Sequence, residues 1–134
     1  MSLSGSCACG TVQFTVTEPF TTARYCHCHR CQKRSGTAWS LNASVPVEGF
    51  EITSGDDAVR TWRPPGGSPK SFCANCGGHL FSGEPETGPI GVRLGLVDGD
   101  PGIRPQWHQW VSSAPDWEAI PDDGLPRYPE RRET

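Results

Sequence analysis

The sequence predicts a mainly β fold of short antiparallel strands with little helix, stapled by metal. Three observations carry that expectation. Apolar and polar residues alternate with period two over several short stretches. Gly and Pro, at 16 and 13 of 134 residues, stand between apolar segments as punctuation and form no repeats. Seven cysteines fall into three tight clusters. A chain of this length can bury one modest core, so a single domain over residues 1–134 is expected. A domain so rich in turns gains from a staple beyond its core.

The elements follow in chain order. Val12, Phe14 and Val16 alternate with polar neighbours, so Thr11–Thr17 reads as a half-buried strand. Arg30–Gly36 can form one helical turn, ended by Gly36. Trp39 and Leu41 suggest a strand over Ala38–Ala43. Val59–Arg63 is another, closed by the Pro64-Pro65-Gly66-Gly67 turn. Ser71–Phe72 and Leu80–Phe81 flank a hairpin-like turn that carries Cys73 and Cys76. Ile90, Val92, Leu94 and Leu96 alternate cleanly as a strand, and Gln106–Val111 is a further one. The tail Pro121–Thr134, with three prolines and charges of both signs, is expected to wrap the surface or fray.

Composition excludes several function classes. A net charge of −3 with 20% charged residues offers no electrostatic footprint for nucleic acid and no polybasic membrane patch. No apolar run approaches the roughly 18 residues of a membrane span. The start, MSLSGSCACG, has neither a basic stretch nor an apolar one, so the expected compartment is the cytoplasm. Nothing resembles a nucleophilic triad, a phosphate loop or a dinucleotide fingerprint.

An odd number of cysteines without an export signal argues against a disulfide framework and for metal ligands. Cys73-Ala74-Asn75-Cys76-Gly77-Gly78 is a zinc knuckle: two thiolates two residues apart reach one ion, and Gly77 supplies the positive φ that turns the chain away. Cys7-Ala8-Cys9-Gly10 offers two more ligands. Joining the pairs gives a closed four-thiolate site, whose binding energy is folding energy. Cys26, Cys28 and Cys31 then remain as a three-ligand site with a position open to water or substrate. A different partition joins Cys7 and Cys9 to Cys26 and Cys28 and leaves Cys31 apart. His27 and His29 alternate with the cysteines and are favoured in supporting roles, with fourth-ligand roles as the alternative. Arg30, Lys33 and Arg34 follow the clamp, either to meet substrate carboxylates or as a solvated basic face. His79 and His108 are expected as packed or surface residues, His108 also as a pocket wall. Trp39 is a candidate lid or pocket wall, and Asp98 and Asp100 are expected to form a turn.

These residues resemble a known family. Gly5-Ser6-Cys7-x-Cys9-Gly10-x-Val12, Cys26-His27-Cys28-x-x-Cys31-x-Lys33-x-Ser35-Gly36 and Phe72-Cys73-x-x-Cys76-Gly77 are similar to motifs of the glutathione-dependent formaldehyde-activating enzyme and centromere protein V family. Leu96-Val97-Asp98, Pro101, Pro105, His108, Trp117-x-x-Ile120 and Asp123-Gly124-Leu125-Pro126 follow the family's order. The resemblance covers about residues 4–128. It implies a β-tent fold, with Cys7, Cys9, Cys73 and Cys76 on a structural zinc and Cys26, Cys28 and Cys31 on a catalytic zinc. It implies a carbon–sulfur lyase that joins formaldehyde to glutathione as S-hydroxymethylglutathione. The alternatives are a non-catalytic zinc-stabilised binding module of the centromere protein V type and a redox switch on Cys26, Cys28 and Cys31. An open three-thiolate zinc suits a soft substrate thiolate, which favours the enzyme.

Overall fold

The computed structural model describes residues 2–132; Met1, Glu133 and Thr134, the last two belonging to the expected tail, lie outside it. The mainly β expectation holds: the described residues form ten strands in two sheets and one α-helix. The small sheet joins β1 (Leu3–Ser6), β2 (Gln13–Val16) and β5 (Phe50–Ser54) in the order β1-β2-β5. The large sheet contains β3 (Thr22–Cys26), β4 (Ser40–Val45), β6 (Val59–Trp62), β7 (Lys70–Cys73), β8 (His79–Ser82), β9 (Ile90–Arg93) and β10 (Trp107–Gln109). Its order is β10-β3-β4-β9-β8-β7-β6. Helix α1 (His29–Ser35) connects β3 to β4.

Pairing is antiparallel except between β10 and β3, which run parallel. That departs from the all-antiparallel expectation. β10 reaches β3 after a long excursion from β9, and such a crossover is what parallel pairing needs. The expected strand through Leu96 ends at Arg93, the last residue that β4 pairs, and Leu94–Leu96 form a 3-10 turn. The alternation survives the change because Leu94 is buried and Gly95 exposed. Strand β10 stops before Trp110, whose φ is +59°. Strands β1, β3 and β5 show too few alternating apolar residues to stand out in the sequence.

The core lies between the sheets. Val12, Phe14 and Val16 from the small sheet meet Ala23, Ala43, Val45, Leu80, Ile90 and Val92 from the large one. Phe50 joins them, 5.3 Å from Phe14 and 5.2 Å from Phe81 between ring centroids. Alternation gives the large sheet two unlike faces. Ala23, Ala43, Val92 and Phe81 lie in register as an apolar row. One residue along, Arg24, Asn42 and Arg93 lie in register on the opposite face.

Gly5 of β1 pairs with Phe14 at the seam of the small sheet. A methyl group there would run into the Phe14 ring and the Leu96 carbonyl oxygen. Backbone cannot yield as a flexible side chain does, so Gly5→Ala should destabilise the fold by about 2 kcal/mol or more, read as a lower melting temperature.

Candidate metal centres

One turn carries Cys7 and Cys9, and a second, which carries Cys73 and Cys76, folds as the sequence suggests. In the first, between β1 and β2, the Gly10 N–H bonds the Cys7 carbonyl at 3.1 Å and the Val12 N–H meets the Cys7 sulfur at 3.3 Å. In the second, between β7 and β8, the Gly77 N–H bonds the Cys73 carbonyl at 2.7 Å. Gly10 and Gly77 both take positive φ, +79° and +74°. The turns bring Cys7, Cys9, Cys73 and Cys76 together, with all four sulfurs within 4.8 Å of one another. The Cys7–Cys9 and Cys9–Cys73 separations are 3.6 and 3.9 Å. Tetrahedral zinc with sulfur at about 2.3 Å needs sulfurs about 3.8 Å apart, so this donor set fits that ion. The Cys9 thiol is drawn down to about 5, chiefly by the Thr11 hydroxyl and then by the Asn75 amide. That amide donates to the Cys9 sulfur at 3.3 Å.

The second group is Cys26, Cys28 and Cys31, again within 4.8 Å. Cys26 ends β3, in register with Ser40 of β4 and Gln109 of β10. Cys28 caps α1, its sulfur accepting the Cys31 N–H at 3.3 Å. Gly36 closes the helix in the left-handed conformation, as expected, with its N–H on the Gln32 carbonyl. The Cys31 thiol falls well below its ordinary value because Cys26 and Cys28 hydrogen-bond its thiolate, with Ser40 and Arg93 adding to the effect. Cys26 is pushed up by the same sharing. Neither group includes a histidine nitrogen among the described residues. His29 is exposed at the start of α1. His27 is fully buried, and its Nε2 lies 2.9 Å from His108 Nδ1.

The three sulfurs open onto a cleft of about 1180 Å³ on the polar face of the large sheet. Arg24, Arg30 and Lys70 line it with Trp110 and the segment Tyr128–Arg131. Burial lowers the Arg24, Lys70 and Arg93 side chains from their ordinary values. Arg24 donates to the Ser44 hydroxyl at 2.7 Å, and Lys70 to the Ser68 hydroxyl at 3.1 Å. Among the described residues the ion pairs are Arg63–Glu84, Arg104–Asp100 and His108–Asp123, so none of these cleft cations has a carboxylate partner. Of Arg30, Lys33 and Arg34, only Arg30 reaches the cleft; Lys33 is exposed and Arg34 half-buried. Trp39 packs against Tyr25 and His27, while Trp110 supplies the cleft wall. Asp100 holds the turn through Gly102 and Arg104.

Comparison with known proteins agrees with these motifs. The family model "Glutathione-dependent formaldehyde-activating enzyme" matches residues 2–113. The chain belongs to this family. A Halomonas elongata protein named "Putative glutathione-dependent formaldehyde-activating enzyme" is 30% identical over 130 residues, covering 90% of this chain and 82% of that protein. A crystal structure of a Rhodobacter sphaeroides protein shares the fold, with a TM-score of 0.60 at 22% identity over 72% of this chain and 89% of that one. No described helix is long and apolar enough to cross a membrane.

Burial of a histidine beside two arginines has a consequence for stability. His79 is held at about 4 by burial and by Arg34 and Arg93, against an ordinary 6.5. As pH falls through 6.5 the unfolded chain takes up this proton first, while the folded chain waits until about 4. Stability should therefore drop across that window, and His79→Gln should flatten the dependence of melting temperature on pH there.

Proposed function

We propose that this protein is a zinc-dependent carbon–sulfur lyase that joins a low-molecular-weight thiol to a small aldehyde. Glutathione and formaldehyde are the substrates, and S-hydroxymethylglutathione is the product. The observation that carries this reading is a three-thiolate clamp opening onto a cleft whose cations lack acidic partners. Zinc bound at Cys26, Cys28 and Cys31 would supply a Lewis acid that keeps a substrate thiol deprotonated and steadies negative charge on the aldehyde oxygen. The rest falls to side chains. Arg24 and Lys70 face the cleft with unused donors, placed to take the carboxylates of a glutathione-like molecule. Trp110 and Tyr128 wall the cleft and limit water around the small aldehyde. Cys7, Cys9, Cys73 and Cys76 take a second zinc as a structural ion.

Metal analysis should find two zinc ions per chain. Cys76→Ser should unfold the domain, whereas Cys28→Ser should leave a folded protein with one ion. Equal unfolding of both variants would remove the division into structural and catalytic sites. Substrate binding has its own check. By calorimetry, Arg24→Ala should weaken glutathione binding about tenfold or more and leave 2-mercaptoethanol, which has no carboxylate, unchanged. Equal weakening of both thiols would reduce Arg24 to a support of the sheet. A thiol-plus-aldehyde assay on the two-zinc protein then tests turnover against the uncatalysed addition.

A further inference from the structure

Strand β10 and the segment after it carry a polar chain, running from Asp123 at the surface to the buried His108 and His27, that the proposed reaction does not use. His108 Nε2 lies 2.8 Å from Asp123 Oδ2, and His108 Nδ1 lies 2.9 Å from His27 Nε2. A carboxylate only accepts, so His108 carries its hydrogen on Nε2 and accepts on Nδ1. His27 must then donate from Nε2. Asp123 thereby sets the direction of every bond in the chain. Its other oxygen accepts the Leu125 N–H at 3.1 Å, which fixes the carboxylate in turn.

His27 sits between two ligands of the clamp, and each of its polar groups except one is tied down. Its N–H donates to the Gln109 carbonyl at 3.0 Å. Its carbonyl accepts the Gln32 amide at 2.8 Å, and that same amide holds the Ser113 carbonyl. Its ring lies against Trp39, while His108 stacks on Tyr25 at 4.7 Å between centroids. The buried Nδ1 has no hydrogen-bond partner among the described residues. Leaving a buried polar atom unpaired is costly, and it persists only where surrounding bonds over-determine the ring.

The anchor for this chain lies outside the stretch that the family model matches. Residues 2–113 are matched, yet Asp123 and the cleft wall Tyr128–Arg131 come later. That later segment lies along β10: the His108 N–H bonds the Pro126 carbonyl and the Tyr128 N–H bonds the His108 carbonyl, each at 2.9 Å.

We infer that Asp123 is a positioning residue for the second metal centre. Acting through His108, it holds His27 and so sets the separation of the Cys26 and Cys28 sulfurs. The C-terminal segment is in this sense part of the centre without contributing a ligand. The inference rests on the reading that the clamp holds a metal, but not on any reaction there.

The test uses the full chain loaded with zinc, and separately with cobalt(II) as a spectroscopic probe. Chelator competition gives the affinity of each site. Asp123→Ala should weaken the clamp about tenfold and leave the four-thiolate site unchanged. It should also alter the cobalt absorption of the clamp alone. Asp123→Asn keeps an accepting oxygen and should restore most of the affinity. Wild-type affinity and spectrum in Asp123→Ala would overturn the inference, as would parallel weakening of both sites. A wild-type chain with no metal at the clamp would overturn the metal reading along with it. Two bound metals without thiol–aldehyde turnover would remove only the proposed reaction.

Discussion

Four sulfur atoms from two sheets converge on one point, and the rest of the structure depends on that convergence. Cys7 and Cys9 sit at one end of the small sheet, Cys73 and Cys76 at a turn of the large one. The strands they join are short, and few are long enough to hold register through their own pairing. The quartet pins Val12 and Phe14 over Leu80 and Ile90, which closes the core. Sulfurs 3.6–3.9 Å apart repel one another once ionised, and a divalent cation removes that repulsion. A cation at this point therefore acts as the staple that the turn-rich chain needs.

With the sheets held, strand β3 places Cys26 and the start of α1 places Cys28 and Cys31. Strands β3, β4, β7 and β8 send some residues to the core and others to the cleft. Ala23 points to the core, so Arg24 and Cys26 lie on successive registers near the cleft. Gly91 leaves room beside Arg24, where its Cβ would lie 3.6 Å from the guanidinium. A clamp of three thiolates and one divalent ion is formally negative. Arg24, Arg30, Lys70 and Arg131 line the cleft against one carboxylate, Glu130, so the balance is positive and favours an anionic guest beyond the thiolate itself.

Much of this was legible from local chemistry. Cysteine spacing with Gly77 marked the turn between β7 and β8, because a knuckle is a local structure with a fixed need for positive φ. Helix α1 was legible through Gly36 for the same reason. Strands β1 and β3 were not, since Leu3–Ser6 and Thr22–Cys26 hold few apolar residues and gain their stability from partners distant in sequence. Arg24 carried a usable signal, two residues before Cys26 on a strand, but only once that strand is known. Lys70 and Tyr128 carried none, because they reach the cleft through the order of strands and the path of the tail. The pairing of His27 with His108 spans 81 residues and follows from the parallel β10–β3 register.

That register explains why the clamp is rigid on one side and open on the other. On the β10 side, His108 in register with Tyr25 and Gln109 with Cys26 put backbone and ring bonds directly behind the ligands. Gln32 carries the same restraint from α1 to Ser113. On the β7–β8 side, Lys70 and Ser82 stand back across the cleft and touch no ligand through a hydrogen bond. A centre that must hold three sulfurs still while a guest enters needs this asymmetry. Restraint on every side would close the site, and restraint on none would let Cys28 and Cys31 spread with the helix.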